Sequence, residues 1–236
     1  MVISNTLLKA SLEAGKGFFR QPVQQDAQRS GAALDAQPVM VPIRSIGPGH
    51  RERIAVHLMA LGQSDRYLRF GYAASDEQIS RYVEGLNFER DEIFGIYNRK
   101  LQLLAMAHLA FSISPELQSG AEFGVSVLAK ARCRGYGSRL FDRAVMHARN
   151  EGVDMMLIHA LSENAAMLNI ARKAGARIER IGSESEAFLK LPLANLDSRM
   201  TEMVEEQMAQ TDYHFKVQAK KFRDFVATLQ DARRST

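Results

Sequence analysis

Hydrophobic and polar positions alternate with two distinct periods between residues 39 and 192, and the pattern changes on either side of that stretch. Residues 40–46 read as a strand that Gly47, Pro48 and Gly49 stop. Residues 50–62 place Ile54, Leu58 and Leu61 on one face of a helix, because positions three and four apart overlie each other. Residues 64–70 form a shorter helical piece with Leu68 and Phe70 for the core and Arg66 and Arg69 left over. Ser75 suits the cap of a further helix that carries Ile79, Tyr82, Val83 and Leu86. Strands over residues 92–97 and 101–113 are joined by a hairpin at Asn98, Arg99 and Lys100, and residues 114–120 turn the chain into a buried strand over residues 122–128. A helix follows over residues 139–150, where Leu140, Phe141, Ala144, Val145 and Ala148 recur at helical spacing and Gly152 suits the C-cap. Residues 154–161 form another strand. A helix that starts at Ser162 or Glu163 carries Asn164, Met167, Ile170 and Ala174 up to Gly175, and short strands at residues 178–181 and 187–191 precede the stop at Pro192.

The flanks behave differently. Residues 1–38 are rich in Gln, Ala and Ser and hold too little apolar surface to offset the entropy of ordering, so a mobile N-terminal arm is expected. Residues 193–236 make a helical extension, with Leu196, Met200 and Met203 in one apolar stripe and Phe215, Phe222 and Leu229 in another, and a weaker point at Thr211 and Asp212. Such stripes pack across their own domain or meet a second chain, which leaves a homodimer through this helix open. With 46% hydrophobic residues, a chain of 236 supplies one ordinary core, so the expectation is one domain at residues 39–192 with two appendages.

Charge and cysteine usage narrow the class. The formal charge of +4 is mild and its basic residues are interspersed with acids, which argues against a nucleic-acid surface and suits an anionic cofactor. No apolar run approaches the roughly eighteen residues that span a bilayer, and the N-terminus lacks a charged segment followed by an apolar core. The lone Cys133 excludes an internal disulfide and fits a reducing compartment; the expected location is cytoplasmic, without a membrane partner and without a metal site.

The chemistry concentrates where the strand at residues 122–128 feeds Gly135 and Gly137 and then a helix. That arrangement presents unpaired N–H groups and the positive end of a helix dipole to one point, which suits a phosphate, although two glycines there also suit an ordinary turn. The dinucleotide fingerprint needs a further glycine where Leu140 stands, and the P-loop needs Gly-Lys-Ser/Thr, which is absent. What remains, Arg132-Cys133-Arg134-Gly135-Tyr136-Gly137, resembles the Arg/Gln-x-x-Gly-x-Gly/Ala signature of the GNAT superfamily of acyl-CoA N-acyltransferases, with Val127 on the preceding strand at the usual distance. After an apolar strand, the stretch from Ser162 to Ala176 is similar to the family's second conserved segment, with Asn164 and Gly175 in register. The resemblance is strong over about sixty residues and extends over residues 39–192 along the helix and strand pattern.

The resemblance implies an α/β fold of the GNAT type, a mixed and mostly antiparallel central sheet flanked by helices, here with an added C-terminal helix. It implies an N-acetyltransferase that moves an acetyl group from acetyl-CoA to a primary amine, on a small molecule or on a protein lysine or N-terminus. Val125, Ser126 and Val127 would bond the pantetheine arm, Arg132, Cys133, Arg134, Gly135, Tyr136, Gly137 and Ser138 would meet the pyrophosphate, and Asn164 would bond the cofactor. The helical insertion at residues 64–86 would cover the acceptor side, so Arg66, Tyr67 and Arg69 are candidates to touch substrate, against the plain reading of solvated side chains. An amine must lose a proton before attack, and two residues are candidates to take it: His159, because histidine is a common general base, and Glu122, at an acidic position common in the family. One departure stands out. Many members carry a tyrosine seven residues after the asparagine to protonate the leaving thiolate, and Ala171 occupies that place. The alternative is therefore a GNAT-fold protein that senses acyl-CoA with weak or no catalysis.

Overall fold

The computed structural model describes residues 41–112 and 120–234, with side chains up to residue 230. The strands are β1 (Arg44–Ser45), β2 (Glu92–Tyr97), β3 (Leu103–Phe111), β4 (Gly120–Val127), β5 (Met155–Leu161), β6 (Arg177–Ile181) and β7 (Glu184–Lys190), of which β3 and β5 are the most continuously apolar. They lie in the order β1-β2-β3-β4-β5-β7-β6. Every neighbouring pair is antiparallel except β4 and β5.

The amphipathic segments become helices α1 (Arg51–Met59), α2 (Gln63–Phe70), α3 (Asp76–Glu84), α4 (Tyr136–Asn150), α5 (Ala165–Lys173) and α6 (Leu196–Arg234). Ser75 caps α3 in a reciprocal box with Gln78, which satisfies two donors that the first turn leaves free. One sheet face buries Phe94, Ala107, Phe123, Met156 and Ile158 against Leu140 and Phe141 of α4 and Leu168 of α5. The opposite face buries Ile93 and Met106 against Ile54 and Leu58 of α1 and Ile79 and Val83 of α3. This is the mixed, mostly antiparallel sheet with flanking helices expected of the GNAT type, extended by a C-terminal helix. No helix among the described residues is long and apolar enough to cross a membrane.

The parallel ladder is short. β4 and β5 pair at Gly120↔Met155, Ala121↔Met156 and Glu122↔Leu157 and no further. β4 nonetheless remains paired with β3 as far as Val127, and β5 with β7 as far as Leu161. Beyond Glu122 the two halves of the sheet therefore diverge, and the backbone groups of β4 that point toward β5 have no strand partner.

Several boundaries differ from the sequence reading: α4 starts at Tyr136 and not at residue 139, β3 starts at Leu103 and not at residue 101, and β7 covers Glu184–Lys190 where residues 187–191 were expected. β1 is confined to Arg44–Ser45, because Pro42 has no N–H to donate to a ladder. The helix expected over residues 50–62 begins with a 3₁₀ turn at Pro48–His50 and ends at Met59. The weak point at Thr211 and Asp212 does not interrupt α6: Thr211 Oγ1 donates to the Gln207 carbonyl at 2.8 Å, Asp212 pairs with Lys216 at 2.6 Å, and the helix runs unbroken for 39 residues. The arm at residues 1–38, the start of the first strand at Met40, the end of the long strand at Ile113 and the turn before Gly120 lie outside the described residues.

α6 docks through polar groups. Arg143 of α4, 3% exposed, lies 3.1 Å from Glu206 and 3.6 Å from Glu202. His147 shares a 2.6 Å hydrogen bond with Glu202, and Asn150 donates to the same carboxylate at 2.5 Å. Ser45 donates its N–H and hydroxyl to Glu206, so α6 also covers the β1 edge. Burial alone would lower the His147 pKa, but the Glu202 hydrogen bond and charge, with Glu92 and Glu151 nearby, outweigh it and raise it above 6.5. Burial pushes Glu202 up, and the bonds from His147 and Asn150 overcome this and bring it below 4.5. The raised histidine stabilises the fold fully below 6.5 and loses that contribution as pH rises through its folded pKa. The lowered carboxylate contributes above 4.5 and loses that as pH falls. The clamp is therefore strongest between these limits, and His147→Gln should lower the thermal midpoint more at pH 6 than at pH 8.5, as read by calorimetry of both proteins across that range.

Candidate active site

The divergence of β4 and β5 opens a cleft of about 890 Å³. One wall is the turn between β4 and α4. Gly135 sits at φ 73°, a left-handed conformation that glycine adopts without steric penalty, and Cys133 adopts φ 59° despite its side chain. Arg139 donates the first helical bond of α4, to the Gly135 carbonyl at 3.1 Å, so the amides of Tyr136, Gly137 and Ser138 precede the ladder of helical bonds. Gly137 has Ile170 of α5 so near that an added Cβ would come within 3.3 Å of its Cδ1, which draws the helix start against its neighbour. Tyr136, Gly137, Ser138, Arg132 and Cys133 all line the cleft.

Side chains on β4 and β5 divide by face. Glu122 pairs with Leu157, so Glu122, Gly124 and Ser126 share a face with Leu157, His159 and Leu161, on the side of α1–α3. Phe123 and Val125 belong to the opposite side, with α4. Glu122 and His159 thus stand on one side of the opening, and the helix start lies on the other. Both line the cleft and both are exposed, and His159 Nδ1 lies 3.6 Å from Glu186 of β7.

Helix α2 closes the mouth on the α1–α3 side. Its Asp65 forms an ion pair with Arg132 of the glycine turn, and Asn164 Nδ2 reaches its Leu68 carbonyl at 3.5 Å. The Asn164 Oδ1 accepts from the Met167 N–H at 3.1 Å, capping α5, so the amide lines the cleft while both its ends are engaged. The three arginine and tyrosine candidates part company. Arg66 spends its guanidinium on the carbonyls of Met59, Leu61 and Ala74 and on Asp76, and stands outside the cleft lining, as Tyr67 does. Arg69 lines the cleft. Arg134 is exposed at its rim and outside the lining, whereas Val125, Ser126 and Val127 are part of the wall.

The acetyltransferase (GNAT) family model matches residues 64–176, the segment that builds this cleft. Residues 64–176 form a GNAT-family acetyltransferase domain. Its sheet resembles that of the GNAT domain of S. lividans PAT, with a TM-score of 0.54 at 18% identity over 63% of this chain and 89% of that one. An N-acetyltransferase from Staphylococcus aureus Mu50 gives a TM-score of 0.51 at 18% identity over 64% and 98%, and a GNAT-family acetyltransferase from Streptococcus pneumoniae gives 0.52 at 11% over 65% and 100%. These are likenesses of fold. A search of the curated proteins gives no match. Membership implies acyl transfer from an acyl-CoA.

Two polar networks behind the wall of this cleft escape the sequence reading. His57 of α1 is buried; its Nδ1–H donates to the Leu103 carbonyl at 3.0 Å, which leaves Nε2 to accept the Ser126 hydroxyl at 2.8 Å. Burial, partly offset by the Leu103 bond, pulls His57 down to about 4, so it is neutral at physiological pH. The helical spacing that puts Ile54, Leu58 and Leu61 inside places His57 on the same inner face, and that was the available signal. The second group runs inward from the cleft: Arg69 donates to the Tyr82 hydroxyl at 2.9 Å, which meets His108 Nδ1 at 2.8 Å, and His108 Nε2 lies 3.1 Å from Asp91. Nothing local in the sequence joins α2, α3, β3 and the loop before β2.

An added Cβ at Gly135 would meet no atom within 4 Å, so its cost is conformational alone. Gly135→Ala should destabilise the protein by roughly 1–2 kcal/mol through the left-handed backbone, and Gly135→Val by more, with weakened stabilisation by coenzyme A in both. Denaturant unfolding with and without coenzyme A measures each.

Proposed function

We propose that the chain is an acetyl-CoA-dependent N-acetyltransferase that acylates a primary amine, on a small molecule or on a protein. The observation that carries this reading is the parting of β4 and β5 with the first amides of α4 at its edge. The residues present fit an acyl-CoA. The amides of Tyr136, Gly137 and Ser138 suit its diphosphate, with charge from Arg132 and Arg134. The unpaired backbone groups of β4 near Val125–Val127 suit the amides of a pantetheine arm, as an added strand would. When bound, acyl-CoA supplies a thioester-activated acyl group.

The remaining work belongs to the protein's own groups. An unperturbed lysine amine titrates near 10.4 and must lose a proton before it attacks. Glu122 and His159 stand on the acceptor side of the sheet and accept that proton directly or through water. A backbone N–H near Val127 serves the oxyanion, and Asn164 holds α5 and α2 at the cofactor's side. Ala171 is fully buried and offers no hydroxyl, so the departing thiolate takes its proton from water or another donor. Residues 39–192 act as the catalytic unit, in the cytoplasm, with residues 1–38 as an arm. Glu122→Gln and His159→Gln should separate the two bases: the one that accepts the proton should lower kcat about 100-fold or more while leaving coenzyme A affinity unchanged. Free-thiol release over a panel of amines is the measurement, and binding without release from any amine would favour an acyl-CoA sensor.

The outward face of α6 supports a homodimer. Met208, Phe215, Phe222 and Leu229 recur every seven residues and are exposed. Residues 196–212 carry Asp197, Glu202, Glu205, Glu206 and Asp212 against Arg199, whereas residues 213–234 carry six Lys and Arg against Asp224 and Asp231. Glu202, Glu206 and Asp212 are already engaged within the chain, so the apolar stripe is what would carry an antiparallel pair of these helices. Light scattering should give twice the chain mass, and Phe215→Glu with Phe222→Glu should return it to one; a monomeric wild-type protein would overturn this assembly.

A further inference from the structure

Arg69 is the cleft-lining residue whose surroundings ask for a ligand. Its guanidinium lies flat against the backbone of β4 at Gly124, so that a Cβ there would stand 2.8–2.9 Å from its terminal atoms. One nitrogen donates to Tyr82, and the cation stacks 5.6 Å from the Tyr82 ring centroid and 5.3 Å from that of Phe70. Tyr82 is itself held by His108, and His108 by Asp91, so the guanidinium is fixed from behind. Among the described residues no carboxylate pairs with it, although Arg66, Arg132 and Arg143 each have one. An oriented arginine with free donors in a half-buried wall is built to receive an oxyanion, and its planar fork matches a carboxylate in two parallel bonds.

The position of this cation selects the ligand. Arg69 lies over Gly124, on the same sheet face as Glu122 and His159, and away from the helix start that suits the diphosphate. Glu122 precedes Gly124 by two residues, a rise of about 6.8 Å along the strand. An amine drawn to Glu122 or His159 therefore brings whatever it carries a few atoms away up to Arg69. We infer that the acceptor is an amine that also bears a carboxylate, an amino-acid-like compound, and that Arg69 determines this preference. Tyr82, His108 and Asp91 are positioning residues that act through Arg69. The inference rests on the acyltransferase reading for the identity of the reaction, but the binding it asserts is separate from turnover.

The test titrates the coenzyme A-loaded protein calorimetrically with a panel of α-amino acids and with the corresponding amino-acid amides, which keep the amine and lose the charge. At least one acid should bind about tenfold or more tightly than its amide. Arg69→Gln should abolish that difference, and Tyr82→Phe should reduce it. Gly124→Ala keeps the positive charge but displaces the guanidinium, and should also abolish it. Unchanged thermal stabilisation by coenzyme A certifies the fold of each variant. Equal binding of acids and amides, a preference that survives Arg69→Gln, or no binding by any acid in the panel would overturn the inference. Binding of acids without thiol release would leave it standing and count against the transferase reading instead.

Discussion

The site depends on a hydrogen-bonded ladder that stops. Had β4 and β5 continued to pair beyond Glu122, the sheet would be closed and its backbone groups satisfied within it. Because each strand stays fastened on its far side, β4 to β3 and β5 to β7, the separation is supported by the sheet and not by a flexible loop. The opening passes through the sheet rather than lying upon it. Its walls come from both sheet faces, with Tyr136 and Ile170 on the side of α4 and Arg69 and Glu122 on the side of α1–α3.

Helix α2 makes the opening a defined shape. Its Asp65 reaches the glycine turn, its Leu68 carbonyl receives Asn164, and its Arg66 gathers three carbonyls from the end of α1 and the loop before α3. Arg66 is therefore a brace whose charge serves neighbouring backbone dipoles. Arg69, one turn further along the same helix, is turned inward to the cleft. Two arginines on one short helix thus have opposite assignments, which follow from what each can reach.

Local pattern carried most of the architecture. The strand cores, the cap at Ser75, the glycine turn and the helix after Asn164 were legible because each depends on residues within a few positions of one another. The ends of elements were less so, since β1 is limited by Pro42 and by what it pairs with, and Thr211 and Asp212 are held in the helix by bonds to Gln207 and Lys216. The wall that carries Arg69 was the least legible part. Arg69, Tyr82, His108 and Asp91 come from four segments and form one line only after the sheet has been assembled. The sequence named Arg69 together with Arg66 and Tyr67 and could not distinguish them, because their difference lies in which partners the fold brings within reach.

Gly124 ties the strand's backbone to the position of Arg69 in the cleft. The atoms it would collide with belong to the tip of a side chain and not to backbone, so a larger residue there would be accommodated by turning Arg69 away from Tyr82. Divergence at this position would therefore act on the orientation of Arg69 and, for the amino-acid acceptor inferred above, on the preference for a carboxylate. Relatives with a side chain at this point of the strand should accordingly have re-made the opposing wall, and the two sites should drift as a pair.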